Sequence, residues 1–167
     1  IEKMEGPLIH EEKIEKSMTG EIGVDPTSVS PEEILGRLKK ISDTGAAGKY
    51  VIEFRAAAQF AHVSKLFLSE KKDLMQTYAY AEGMAAAIGV DGEKQDMVFR
   101  GFSGLKGAEL LDEIEGSVDD ILKMLDDKLH ADSVVPGMYD VITAPEITGL
   151  IAHEAFGHGV EMDMFVK

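Results

Sequence analysis

The sequence predicts an α+β fold, in which an antiparallel β-meander packs against amphipathic helices and is followed by the start of a second domain. Three observations lead to this prediction. Residues 30–45 and 106–130 repeat apolar side chains every three or four positions, as amphipathic helices do. Residues 49–102 are instead rich in β-forming residues and include stretches that alternate polar with apolar side chains. A further short helical pattern follows Pro136-Gly137 and is separate from the others.

Local sequence signals predict where the first helix, over residues 30–45, begins and ends. Residues 1–29 are polar, contain several glycines and prolines and keep no sustained period, so we predict a connecting segment there. Ser30 is a favourable N-cap, Pro31 suits the first helical position, and Glu33 stands where a capping box requires an acidic residue. Gly45 is a typical stop signal. This helix is expected to serve as scaffold.

Four strands are predicted between residues 49 and 102. Their β-forming runs begin near Tyr50, Val63, Thr77 and Met97. The dipeptide Asp91-Gly92 is typical of a tight hairpin turn between the last two strands. Two alanine runs, residues 56–58 and 85–87, are also compatible with helix, so the strand ends are less sharply defined there.

Residues 106–130 carry the clearest helical pattern of the chain. The apolar positions of this pattern are Leu110, Leu111, Ile114, Val118, Ile121, Leu122, Leu125 and Leu129. Gly116 is expected to divide the region, with Ser117 as the N-cap of the second half and Asp120 at its capping-box position. The opposite face is dense in carboxylates. A solvated outer face explains these carboxylates better than a second metal site does.

The composition excludes some classes of protein. The 167 residues include 31 acidic and 17 basic side chains, and the net charge of −14 argues against nucleic-acid binding. No apolar run is long enough for a membrane helix and no signal-peptide pattern is present, so a cytoplasmic protein that does not enter the membrane is predicted. The absence of cysteine is compatible with that compartment.

The chain is expected to contain parts of two domains. We predict a connecting segment over residues 1–29, an α+β domain over residues 30–132 and the beginning of a catalytic domain over residues 133–167. The sequence starts at Ile1 and ends at Lys167, a few residues beyond the motif described next. It is therefore expected to be a fragment of a longer protein.

The motif His153-Glu154-Ala155-Phe156-Gly157-His158 carries the functional prediction. Two imidazoles can bind a divalent ion, and the carboxylate between them can act as a general base toward water that the metal activates. Their i, i+5 spacing would place the rings about 140° apart on a regular helix, too far to share an ion. A π-bulge is therefore predicted between His153 and His158, with Gly157 supplying the unusual backbone dihedrals.

The residues before the motif are predicted to support it. Met138 to Ile142 are expected to form a strand that enters the second domain. Thr143 and Glu146 have the spacing of a capping box for the motif helix. Ile147, Leu150 and Ile151 give that helix an apolar face to bury. Glu161 and Asp163, just beyond the motif, are candidates for orienting the imidazoles through hydrogen bonds, or else are ordinary surface carboxylates.

Residues 136–163 as a whole resemble the TldD/PmbA family of metalloproteases. The resemblance rests on Pro136-Gly137-Met138-Tyr139-Asp140, on Thr143-Ala144-Pro145-Glu146 and on the run from Gly149 through the motif to Asp163. Within that family the TldD-type subunits keep the His-Glu-x-x-x-His motif and their PmbA (TldE) partners lack it. By resemblance this chain is therefore a TldD-type subunit, with His153 and His158 as zinc ligands and Glu154 as general base.

The same resemblance implies features that this chain does not contain. The third zinc ligand of the family is a cysteine far downstream, and the chain has no cysteine. The fragment alone is therefore expected to bind no zinc tightly and to be inactive. The complete protein would hydrolyse peptides or unfolded proteins, and it would assemble with a PmbA/TldE-type partner or as a homo-oligomer.

Two other functions remain open at the level of sequence. The chain could be a catalytically silent interaction subunit of a peptidase assembly, in which case the complete protein would bind no metal. It could also belong to another metallohydrolase family with the same motif spacing, such as dipeptidyl peptidases with a His-Glu-x-x-x-His helix. A downstream glutamate as third ligand, in place of cysteine, would select that family.

Overall fold

The computed structural model describes residues 12–166, except for the side chain of Phe165, and it confirms the predicted α+β class. The chain divides into two compact units between Ala131 and Asp132. In the part of the chain that the structure describes, the first unit contains a mixed β-sheet and three α-helices, and the second contains short helical segments. Among the described residues, no helix is both long and apolar enough to span a membrane.

The sheet is built around one long central strand. Its strands are β1 (Ile14–Thr19), β2 (Val51–Leu68), β3 (Lys72–Asp91) and β4 (Lys94–Gly104). Strands β2, β3 and β4 form an antiparallel meander, as the sequence predicts. The connection from β3 to β4 is the predicted hairpin, in which Gly92 has a φ of +60° that favours glycine.

Two of the predicted strands are one continuous strand. The runs beginning near Tyr50 and Val63 both belong to β2, and the alanines between them pair with residues 83–85 of β3. The helix that the sequence left possible at residues 56–58 is therefore not formed. Pairing across the sheet, which the local sequence does not reveal, decides the conformation of these alanines.

The predicted connecting segment contains a strand in the part that the structure describes. Strand β1 pairs parallel to β3 over Ile14 to Thr19, opposite Lys72 to Thr77. All its residues are exposed, so it lacks the buried face that gives a strand its alternating pattern. Residues 1–11 of that predicted segment lie outside the described residues.

The helices of the first unit are α1 (Pro31–Ala46), α2 (Leu110–Gly116) and α3 (Val118–His130). The start of α1 is as predicted, because the Ser30 hydroxyl accepts a hydrogen bond from the Glu33 amide at 3.1 Å. The division at Gly116 is also confirmed. Ser117 does not act as a side-chain cap, however: its hydroxyl donates to the Ile114 carbonyl at 2.8 Å. The backbone stays helical through the junction, so the capping prediction is wrong.

The core lies between the helices and one face of the sheet. The largest fully buried side chains are Ile41, Leu110, Leu111, Ile114, Ile121, Leu125 and Leu129. The sheet meets them with small residues, among them the buried Ala81, Ala85 and Ala87. At Gly83 an added Cβ would lie 2.7 Å from the Ile114 side chain. The helices therefore approach the strands closely, which makes this core sensitive to added volume.

Basic side chains contact part of the predicted acidic helix face. Arg37 of α1 lies 2.5 Å from the Asp112 carboxylate, and Lys40 lies 2.7 Å from Glu115. The hydrogen bond from Lys40, and after it the contact of Arg37 with Glu115, lower the pKa of Glu115. Because the pairs are open to solvent, they orient α1 against α2 more than they stabilise the fold.

Two glycines of α1 provide a matched test of this packing. Gly45 is buried against the ring of Phe54, which an added Cβ would overlap, whereas Gly36 is exposed with open space around it. We expect Gly45→Ala to lower the free energy of unfolding by about 1–3 kcal/mol. Gly36→Ala should raise it by about 0.5–1 kcal/mol, since alanine favours helix. Urea denaturation measures both, and a stabilising Gly45→Ala would contradict the close packing.

His130 joins the end of α3 to the end of β3. Its Nδ1 lies 2.8 Å from the Asp126 carbonyl oxygen, and its Nε2 lies 2.9 Å from the Asp91 carboxylate. The hydrogen bond to the Asp126 backbone and then that to Asp91 raise the pKa of His130. Both ring nitrogens can donate at once only when the imidazole is protonated. The protonated ring therefore stabilises the folded state.

The contribution of His130 to stability should depend on pH. A pKa that is higher in the folded than in the unfolded chain stabilises the fold fully below the unfolded value of about 6.5. This stabilisation is lost as pH rises through the folded pKa. We expect His130→Gln to cost more unfolding free energy at pH of about 5.5 than at pH of about 9. Equal costs in denaturation experiments at the two pH values would refute the role of the charged ring.

The second unit consists of consecutive short helical segments. Helix α4 (Pro145–Ala152) continues into a π-helical turn (His153–Gly157), a 3₁₀ turn (His158–Val160) and helix α5 (Met162–Val166). Residues 138–142 form no strand, contrary to prediction, and no described residue pairs with them as a strand partner. The predicted Thr143 cap is also wrong, because the N-cap is Ala144 and the Thr143 hydroxyl contacts that of Thr148.

Candidate functional site

A π-helical turn brings the two motif histidines together. The His158 amide donates to the His153 carbonyl, the i→i−5 hydrogen bond that characterises a π-helix. The additional residue in this turn places position i+5 above position i. The ring centroids of His153 and His158 are consequently 4.6 Å apart, with the ring planes at 79°. The π-helical winding predicted from the spacing is confirmed.

Gly157 does not have the role that the sequence suggested for it. Its φ of −54° and ψ of −52° are ordinary helical values that any residue can adopt. A Cβ at this position would lie 3.8 Å from the His153 ring, which is a normal van der Waals distance. The prediction that glycine supplies unusual dihedrals is therefore wrong. The π turn is accommodated within standard helical geometry.

The side chains of His153, Glu154 and His158 form a compact group of possible metal donors. One donor atom from each lies within 4.8 Å of the other two. Donors at about 2.0–2.2 Å from one tetrahedral ion are about 3.3 Å apart, so small side-chain rotations would suffice to close the group. Imidazole and carboxylate are both ligand types that zinc accepts. The donor set therefore fits a divalent ion, while the binding of one stays a prediction.

Two carboxylates flank the ring of His158. The Oε2 atom of Glu154 lies 3.7 Å from Nε2, and the Oε1 atom of Glu161 lies 2.9 Å from Nδ1. Glu154 thus lies beside Nε2 of His158, on the side of the ring opposite Glu161. Glu161 holds the other side of the ring, as proposed for it from its position. Asp163 lies in α5, and its role in orienting an imidazole stays a prediction.

The site is open to solvent. The side chains of Glu154, His158 and Glu161 are 62%, 51% and 54% exposed. The apolar residues Ile147 and Leu150 of α4, which were expected to be buried, are 51% and 55% exposed. Both the apolar face of α4 and the polar side chains of the motif are therefore exposed to solvent. Hydrolytic sites are more effective when bulk water is excluded from around the reacting groups. Additional protein surface would have to cover this site to achieve that.

The chain has a distant curated relative. No protein family model matches it. A protein of Methanothermobacter thermautotrophicus (strain Delta H) described as a metalloprotease is 28% identical to it over 85 residues. The match covers 48% of this chain and 18% of the relative, so the chain spans less than a fifth of the length of that protein. The similarity supports a relationship to metalloproteases at a coarse level.

Proposed function

We propose that the complete protein is a zinc-dependent peptidase of the TldD/PmbA family and that this chain belongs to its TldD-type subunit. The observation that carries the proposal is the π turn, which gathers His153, Glu154 and His158 within reach of one ion. The relative described as a metalloprotease adds independent support for metal-dependent proteolysis. The more specific choice of family rests on the resemblance of residues 136–163.

The proposed roles follow from the chemistry of the three side chains. His153 and His158 would hold the metal through one nitrogen each. The chemistry that a bound zinc supplies is Lewis acidity, which polarises the scissile carbonyl and makes a water molecule easier to deprotonate. Glu154 would accept the proton of that water and then donate it to the leaving amine. Its carboxylate, 3.7 Å from Nε2 of His158, already lies beside the donor group.

The proposal also requires groups from outside this chain. Zinc sites take at least three protein ligands, and the chain offers two histidines with Glu154 reserved for proton transfer. By family resemblance the third ligand would be a downstream cysteine. Assembly with a PmbA/TldE-type partner or as a homo-oligomer would cover the open site and the exposed face of α4. A peptide or an unfolded protein would be the substrate, in the cytoplasm.

The division of roles between Glu154 and the histidines can be tested by substitution in the complete protein. We expect Glu154→Gln to abolish peptide hydrolysis while leaving the zinc content near one per subunit, because a general base contributes to turnover and not to binding of the ion. His153→Ala should lose both zinc and hydrolysis, since an ion held by fewer ligands dissociates more readily. Elemental analysis and a peptidase assay provide the two readouts.

A control and two contrary outcomes complete this test. His62→Ala replaces a histidine of β2 outside the motif and should change neither readout. Peptidase activity retained in Glu154→Gln would refute its assignment as general base. A wild-type protein without metal would refute the peptidase and favour the silent subunit.

A further inference from the structure

Glu161 is tied to His158 through both its backbone and its side chain. The Glu161 amide donates to the His158 carbonyl at 3.5 Å and closes the 3₁₀ turn between them. The Glu161 carboxylate oxygen Oε1 then lies 2.9 Å from Nδ1 of the His158 ring. A 3₁₀ turn brings position i+3 directly beside position i, so the Glu161 carboxylate can contact the His158 ring. The ring is thereby held on the side that faces away from Glu154.

A carboxylate at Nδ1 of His158 determines whether Nε2 has a free lone pair that can bind a metal. An ionised carboxylate only accepts hydrogen bonds, so the Nδ1 atom that contacts it must carry the proton. In the neutral ring, Nε2 then has a free lone pair, which is the form that binds a metal. Nε2 is also the nitrogen that lies 3.7 Å from the Glu154 carboxylate. The contact at Nδ1 and the proposed binding at Nε2 therefore support each other.

We propose that Glu161 is the positioning residue of this site: it selects the Nδ1–H tautomer of His158 and aims Nε2 at the metal. This inference rests on the proposed function and extends it to the residue that orients one ligand. Carboxylates that accept a hydrogen bond from a metal-binding imidazole fix the ring and increase its basicity. Removing such a partner typically weakens metal binding by about 10–100-fold. Glu161 acts through His158 and does not itself bind the ion.

Three variants of the complete protein separate positioning from direct metal binding. Glu161→Ala removes the acceptor. Glu161→Gln keeps an oxygen that can accept from Nδ1–H, yet it removes the charge that a zinc ligand would supply. Glu146→Ala is the matched control, because it removes a glutamate from the other end of the motif helix. Zinc affinity is measured by competition with a chelator of known affinity.

The tautomer provides a readout that needs no metal. In metal-free protein labelled with ¹⁵N-histidine, long-range ¹H–¹⁵N spectra at pH of about 9 distinguish Nδ1–H from Nε2–H rings. The His158 signal is assigned from its loss in His158→Ala. We expect Nδ1–H in the wild type, in Glu161→Gln and in Glu146→Ala. Glu161→Ala should shift His158 toward Nε2–H and weaken zinc binding by about 10–100-fold.

Each contrary result identifies what has failed. Unchanged zinc affinity or an unchanged tautomer in Glu161→Ala would overturn the positioning role. Equal loss of zinc in Glu161→Gln and Glu161→Ala, with His158 still in the Nδ1–H form in Glu161→Gln, would overturn it too, because the charge of Glu161 and not the orientation of the ring would then decide zinc binding. A wild-type protein that binds no zinc would refute the proposed function instead. The tautomer comparison would still decide, in that case, whether Glu161 orients His158.

Discussion

The hydrogen bond from the His158 amide to the His153 carbonyl is the contact on which the candidate site depends. On a regular α-helix these two residues would point about 140° apart, and their rings could not serve one ion. Because the His158 amide donates to the carbonyl five residues back instead of four, the second ring lies over the first, at a centroid distance of 4.6 Å. Glu154 then lies on the same side as Nε2 of His158. A single local change of winding therefore brings together three neighbouring side chains that could serve one ion.

The two units of the chain rely on different sources of order. The first unit has a continuous core, in which large side chains such as Ile114 and Leu125 lie against a sheet lined with alanine and glycine. The described side chains of the second unit are exposed, apart from the partly covered Gly157. Its helical segments are held mainly by their own backbone hydrogen bonds and by contacts such as that of Glu161 with His158.

Features set by neighbouring residues could be predicted from the sequence, and features set by distant ones could not. The Ser30 cap and the Asp91-Gly92 hairpin follow from local chemistry, and the π turn follows from requiring two rings five residues apart to meet. Strand β1 was missed because pairing with β3 stabilises it without a buried face. The predicted side-chain caps at Ser117 and Thr143 do not form, because the Ser117 hydroxyl donates to the Ile114 carbonyl and the Thr143 hydroxyl contacts that of Thr148. Gly157 was misjudged because the π turn keeps ordinary dihedrals.

If the π turn lets His153 and His158 bind the same ion, X-ray absorption at the zinc edge of the complete protein will detect both rings. We expect two imidazole nitrogens per zinc at about 2.0–2.1 Å, with a sulfur at about 2.3 Å if the third ligand is the cysteine that the family resemblance implies. In His158→Ala the imidazole scattering of any zinc that remains bound should fall to one ring. A zinc ion without imidazole ligands, or one that keeps two imidazole ligands in His158→Ala, would show that His153 and His158 do not bind the ion together.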